Sequence, residues 1–262
     1  MPMQNIEGQS SQQEVVAVIP ARGGSKGIPR KNLISVLGQP LIYWSIKSAL
    51  ESDKIDRVIV STDDNEIAKV AQDFGAEVPF IRPEKFAEDS SLDIDVFKHL
   101  IDWYEDSKFN LPSCFVHLRP TGPARCLKDI NQAILFFLKN SELDSLRSVC
   151  LAEQTPYKMW LIENNKLVSV AKDPGISEFH SQPRQKLPKV FWQNGYVDII
   201  KPSTILSLNS MVGENSFPFV CSSKVKDIDY LSDIPQIENT LKEIINGNLI
   251  SLVDDIDEVH SV

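Results

Sequence analysis

The sequence predicts an α/β protein: a three-layer, mainly parallel sheet covered by helices, carrying one small insertion. Three observations support this. Val15 to Ile19 is a short, apolar, β-branched run, the pattern of a strand buried on both faces. Similar runs then alternate with stretches of helical periodicity as far as Leu151, which argues for right-handed βαβ crossovers. The alternation breaks between residues 154 and 190, where prolines and charged residues interleave, and resumes at Phe191.

Taken in order, Pro40 to Leu50 is a helix whose inward face is Leu41, Trp44, Ile46 and Leu50, and Arg57 to Ser61 is a second strand. Asp64 to Phe74 carries Ile67, Val70, Ala71 and Phe74 at helical spacing, and Gly75 can end it. Glu77 to Ile81 reads as a third strand and Asp93 to Tyr104 as a helix with Val96, Phe97, Leu100, Ile101 and Tyr104 on one side. Ser113 to Leu118 and Arg147 to Leu151 are strands, with a helix from Leu127 to Leu138 between them. Short extended pieces, Lys158 to Ile162 and Lys166 to Val170, lie in the insertion, and Phe191 to Ile200 rejoins the sheet. Ser232 caps a last helix with Ile234, Ile237, Leu241, Ile244 and Ile245 inward and Gly247 at its end.

Composition narrows the functional classes. A chain of 262 residues can bury a large core. With 27 basic and 36 acidic residues, general binding to nucleic acid or an anionic membrane is not expected. No apolar run approaches the ~20 residues of a spanning helix. Met1 to Glu14 is polar without an apolar core, so a disordered leader is expected rather than a signal peptide. The four cysteines are scattered, with no CxxC pair and no histidine cluster, which fits reduced thiols in the cytoplasm.

Function concentrates in the loop after the first strand. Between Pro20 and Asn32 stand Arg22, Lys26, Arg30 and Lys31, no acid, and Gly23, Gly24 and Gly27, in a protein of net charge −9. Glycines admit positive φ and close approach, and amides with fixed cations make a cradle for polyphosphate. A solvated turn is the plainer alternative, though turns rarely need so much uncompensated charge. The spacing matches neither a P-loop nor the GxGxxG dinucleotide fingerprint. In a parallel sheet, ligands sit beyond the carboxyl ends of the strands, where this loop and RPTGPAR after the fourth strand must lie.

ARGGSKGIPRKN closely resembles the signature of the sugar-activating cytidylyltransferases, in particular the CMP-N-acylneuraminate synthetases. Three more segments match in order: HLRPTGPAR (117–125) resembles L-Q-P-T-S-P-L-R, PRQKLPKVFWQNG (183–195) resembles P-R-Q-x-L-P…N-G, and KDIDYLSD (226–233) resembles x-D-I-D-T-x-x-D. The resemblance implies a Rossmann-like sheet of the nucleotide-diphospho-sugar transferase type with a small inserted dimerisation arm. It divides the chain into a leader (1–14), a nucleotide-binding core (15–153), the arm (154–190), a return to the core with D-I-D and the last helix (191–248), and an acidic tail (249–262). The implied reaction is attack of a sugar hydroxyl on the α-phosphate of CTP, giving a CMP-sugar and pyrophosphate. The implied sugar is a nonulosonic acid of sialic or legionaminic type, and the implied assembly is a homodimer. Two alternatives stay open: an eight-carbon ulosonic acid, as in the CMP-Kdo synthetases, whose first loop is closer to P-A-R-Y-G-S-T-R, and a CTP-binding homologue without turnover.

By family position, Arg22, Gly24, Ser25, Lys26 and Lys31 would hold the triphosphate, and Asn32 would read the cytosine edge. Lys31 is equally readable as an exposed lysine. Arg82, in a segment resembling L-R-P-x-x-L-A-x-D, would contact the nucleotide, with Asp89 and Ser90 closing that loop. Asp227 and Asp229, alternating around Ile228, are the expected Mg²⁺ ligands, since Mg²⁺ favours one or two carboxylates. Arg22, Lys26 and Asp229 are the catalytic candidates. Arg119, Thr121, Gly122, Lys158, Arg184, Gln185 and Asn194 are the candidates for the sugar, with Arg184 the natural clamp for its carboxylate. Arg119 stands where the family has glutamine and Gly122 where it has serine, so Arg119 either pairs with a sugar carboxylate or phosphate or holds a neighbouring acid. Asp198 falls inside an apolar strand where the family's A-I-Y ends, and its role is open. Asp233 is expected at the N-terminus of the last helix.

Overall fold

A computed structural model of the chain describes residues 13–222 and 225–253. Of the leader and tail expected at 1–14 and 249–262, residues 1–12 and 254–262 lie outside them. The strands are β1 (Val15–Pro20), β2 (Ser35–Val36), β3 (Gln39–Pro40), β4 (Arg57–Ser61), β5 (Cys114–His117), β6 (Ser145–Leu151), β7 (Trp160–Glu163), β8 (Lys166–Ser169), β9 (Phe191–Ile200) and β10 (Ser216–Val220). The helices are α1 (Leu41–Leu50), α2 (Asn65–Asp73), α3 (Asp93–Asp106), α4 (Leu127–Lys139), α5 (Pro202–Leu208) and α6 (Ile234–Ile245).

Six strands form one sheet in the order β10-β6-β9-β5-β1-β4. Every neighbouring pair is parallel except those of β9, which runs antiparallel between β5 and β6. β1 lies between β5 and β4 with helices on both sides of the sheet, so both its faces are buried, as its unbroken apolar run demands. Val15, Ala17 and Ile19 pack with Ile42, Ile67 and Ile134 of α1, α2 and α4, whereas Val16 and Val18 pack with Phe97, Leu100 and Tyr104 of α3 and Ile205 of α5. These are the three layers. A third cluster joins Ile28 of the first loop, Trp44 of α1, Ile228, and Ile237 and Leu241 of α6.

Several elements differ from expectation. The strand expected at Glu77–Ile81 reduces to two isolated bridges to the β4 region, because Pro79 removes a ladder donor. The periodicity missed α5, and it missed β10, whose Pro218 is tolerated because β10 is an edge strand. Ser232 does not cap α6: it lies in a 3-10 turn, Leu231–Asp233, and Asp233 takes the cap position. The carboxylate of Asp233 turns back to accept from the amides of Asp229 (2.9 Å) and Tyr230 (2.7 Å), so it shapes the D-I-D loop instead of meeting the helix dipole. Leu50 and Ile245 face outward, 49% and 57% exposed.

Between residues 154 and 190 the chain leaves the sheet. β7 and β8 form a hairpin turned by Asn164 and Asn165, both at positive φ. Trp160 stacks on His180 at 3.9 Å, and Tyr157 meets Phe179 edge-on. The hairpin leaves Leu161, Ile162, Leu167 and Val168 exposed.

Candidate active site

The first loop is shaped by packing more than by unusual dihedrals. None of Gly23, Gly24 and Gly27 takes a positive φ, contrary to expectation; the left-handed residue is Arg30, which pairs with Asp64 and Glu66. Gly23 is required by close approach: a Cβ there would lie 2.7 Å from an Asp64 carboxylate oxygen. Its amide donates to Asp63 at 2.9 Å and is therefore not free for an anion.

The loop walls a cavity of about 320 Å³ at the carboxyl ends of β1 and β5. Arg22, Gly24, Ser25, Lys31 and Asn32 line one side, Arg82, Asp89, Ser91 and Asp93 another, and His117, Arg119 and Thr121 complete it. Arg82 is 3% exposed, its nearest carboxylate is Asp63 at 3.8 Å, and its Nε has no partner. Burial and the nearby Arg22 lower its pKa. A buried guanidinium this poorly compensated is a ready anion site. Asn32 donates its amide to the Arg22 carbonyl at 2.9 Å, which ties the loop to itself. Lys26 stays outside the cavity lining, 81% exposed, and Asp89 bridges it (2.6 Å) to Arg22 (2.9 Å). Ser90 is exposed and does not line the cavity.

Lys31 is not a surface lysine. Its Nζ reaches the Ile228 carbonyl at 2.6 Å and Asp229 Oδ1 at 3.2 Å, which joins the first loop to D-I-D across the sequence. Ile228 is fully buried and both flanking carboxylates line a second cavity of about 450 Å³, with Cys150, Trp192, Asn194 and Lys226. No strand forms at D-I-D, so turn and side-chain contacts set the alternation. Asp227 accepts from the Thr121 hydroxyl at 3.3 Å. Burial raises its pKa, and neighbouring Asp229 adds to this against the pull of Arg125. Gly122 makes room for it: a Cβ there would sit 2.9 Å from Asp227 Oδ1. Among the described residues no group of three or more potential metal ligands occurs.

Of the residues expected at the sugar, Arg119 and Thr121 line the first cavity and Asn194 the second. Asn194 is buried, and its side-chain amide lies beside the Cys150 and Cys221 thiols. Lys158, Arg184 and Gln185 are exposed and line neither cavity. Arg184 donates to the carbonyls of Ala152 and Glu153, which themselves line the second cavity.

Two cavity residues escaped the sequence reading. His117 is fully buried with neither ring nitrogen partnered, and burial together with Arg119 pushes its pKa down to about 3. Asp93 bonds Arg119 at 3.0 Å. A histidine in an apolar strand and the first acid of a helix are each ordinary by sequence, and no local signal marks them.

Residues 16–142 match a family model described as Cytidylyltransferase. The chain is 39% identical over 218 residues to CMP-N,N'-diacetyllegionaminic acid synthase of Legionella pneumophila, covering 82% of this chain and 90% of that one. It is 31% identical to pseudaminic acid cytidylyltransferase of Campylobacter jejuni over 221 residues, 84% and 92% of the two chains. Among solved structures, CMP:2-keto-3-deoxy-manno-octonic acid synthetase complexed with CTP superposes with a TM-score of 0.62 at 14% identity, over 88% of this chain and 99% of that one, a likeness of fold.

Proposed function

Because this chain belongs to the cytidylyltransferase family, we propose that it activates a nonulosonic acid with CTP, releasing pyrophosphate and forming a CMP-sugar. The observation that carries the reading is Lys31, which draws the cationic loop and the D-I-D carboxylates to one seam between the two cavities. The triphosphate binds in the first cavity, held by Arg22, Ser25, Lys31 and the under-compensated Arg82, and the acid sugar enters from the second. A sugar hydroxyl loses its proton to solvent and forms the new bond to the α-phosphorus, and the bond to the β-phosphate breaks with its electrons leaving on pyrophosphate. Arg22, which lines that cavity, offsets the charge that develops there, so catalysis is mainly positioning and electrostatics.

Asp227 and Asp229 would hold Mg²⁺. The donor set fits: both are hard oxygen ligands on one cavity, and Asp227 accepts from a neutral hydroxyl. When bound, the ion supplies charge neutralisation at phosphate oxygens. Asp233 keeps the Asp229 backbone in place, and Lys31 holds its side chain.

The exposed apolar hairpin supports a homodimer in which the arm, with Lys158, Arg184 and Gln185, closes over a second copy's cavity. An isolated two-stranded hairpin is marginally stable, which also argues for a covering partner. No described helix is long and apolar enough to cross a membrane, and the four cysteines are free, consistent with cytoplasmic residence. The test is pyrophosphate release with CTP and Mg²⁺ against sialic, legionaminic, pseudaminic and eight-carbon ulosonic acids. Release with a nine-carbon acid is expected; CTP binding with no release on any acid would overturn the reading.

A further inference from the structure

Two departures from the family pattern meet in space. Arg119, in place of glutamine, donates from Nη1 to Asp198 Oδ2 at 2.8 Å and from Nη2 to Asp93 Oδ2 at 3.0 Å. Asp198, at the position where the family's A-I-Y ends, is 1% exposed. The same Asp198 oxygen accepts from Arg147 Nη1 at 2.9 Å and Gln193 Nε2 at 3.2 Å, and Oδ1 accepts from the Ser148 amide at 3.0 Å and hydroxyl at 3.3 Å. The Arg119 guanidinium lies against Gly195, where a Cβ would come within 2.4 Å of Nη1. Gly195 follows Asn194 of the second cavity, and Arg119 lines the first, so the guanidinium stands where the two adjoin.

The charges in this cluster balance: two arginines face two aspartates, and the burial of His117 keeps it uncharged. An arginine so neutralised offers little net attraction to a substrate anion, yet its unused N–H groups remain donors in a fixed plane, with no acceptor of their own. The side chain keeps 24% of its surface exposed.

We propose that Asp198 is a positioning residue and Arg119 a specificity-determining one: Asp198 and Asp93 lock the guanidinium at the junction of the cavities, where it donates to an uncharged oxygen of the acid sugar. This rests on the functional reading above. It assigns the carboxylate of the sugar to other residues, and it makes residues 119 and 198 a matched pair.

Steady-state kinetics on the full chain, with the acid and CTP varied separately, test this in Asp198→Asn, Arg119→Lys and Arg119→Gln, with thermal unfolding as the check on folding. Freeing Arg119 from Asp198 has opposite consequences under the two roles of the arginine. If it clamps an anion, Asp198→Asn lowers KM for the acid; if it is a positioned neutral donor, the same change raises it. The expected result is a kcat/KM for the acid lowered about tenfold or more, since small misplacements cost that much, with CTP affinity within about twofold of the parent. Arg119→Lys keeps the charge but loses the fork, and is expected to match Arg119→Gln. A tighter acid KM in Asp198→Asn, a parental KM in Arg119→Lys, or equal losses toward CTP and acid would each overturn the inference. If Asp198→Asn does not fold, the lysine and glutamine variants decide alone. Absence of turnover in the unmodified chain would overturn the functional reading and this selectivity together, whereas turnover that all three variants preserve would overturn only the inference.

Discussion

The two cavities differ in how completely one chain builds them. The first is walled by elements of the sheet core, and apart from the poorly compensated Arg82 its polar groups are held: Asn32 on the Arg22 carbonyl, Asp89 on Arg22 and Lys26, Lys31 on D-I-D, Arg119 on two aspartates. The second has a wall of β6, β9 and D-I-D residues, but of the basic and amide residues expected to meet the sugar, Lys158 and Gln185 stay exposed and Arg184 reaches only the carbonyls behind that wall, on a segment with apolar residues uncovered. A cleft built on the carboxyl ends of parallel strands inherits the rigidity of the core. On the proposed reading, a cleft completed by the arm of a second copy waits for that copy.

The seam gives the strongest way to break this contrast. Asp229→Ala removes a proposed metal ligand and the partner of Lys31, and turnover is expected to fall by about 10³-fold. Pyrophosphate release across a Mg²⁺ titration checks this, and full activity would remove Asp229 from the site. Ile162→Asp places a charge on the exposed hairpin. Sedimentation is expected to show a monomer and turnover to fall by about 10²-fold, while CTP affinity stays within about twofold, because the arm serves only one cavity. Equal loss of CTP binding would mean the contrast is wrong.

Arg22→Ala should act on the first cavity alone. Loss of a charge-assisted phosphate contact is expected to weaken CTP binding by about 10- to 100-fold, read by calorimetry without any sugar. The smallest effect concerns the floor. His117 folds neutral, with its pKa near 3 against about 6.5 unfolded, so its contribution to stability is fully present above about pH 6.5 and is lost as pH falls toward 3. Urea unfolding at pH 7 and pH 5 is expected to show a loss of stability on acidification from this residue, absent in His117→Leu. An identical pH slope in both proteins would place the acid sensitivity elsewhere.

Much of the core was legible because its signals are local. The run at 15–19 has the pattern of a strand buried on both faces, the loop after it falls at that strand's carboxyl end, and the periodicity of α1 to α4 follows from one-sided burial. Signals failed where context overrides propensity. Pro79 spoils an otherwise strand-like segment, whereas Pro218 is harmless on an edge. Ser232 looks like a cap, but Asp233 takes the position and spends its carboxylate on D-I-D.

By itself, the sequence determined the alternating α/β order, the cationic loop and the matched motifs, since each depends on neighbours a few residues apart. Tertiary structure alone decided that β9 would run antiparallel between β5 and β6, bringing Asp198 onto Arg119 and Arg147. It alone took Lys31 to Asp229 and left His117 buried without a partner. The physical reason is the same in each case: a buried charge or polar group is defined by what desolvates and pairs it, and those partners come from strands and loops that only the fold makes adjacent.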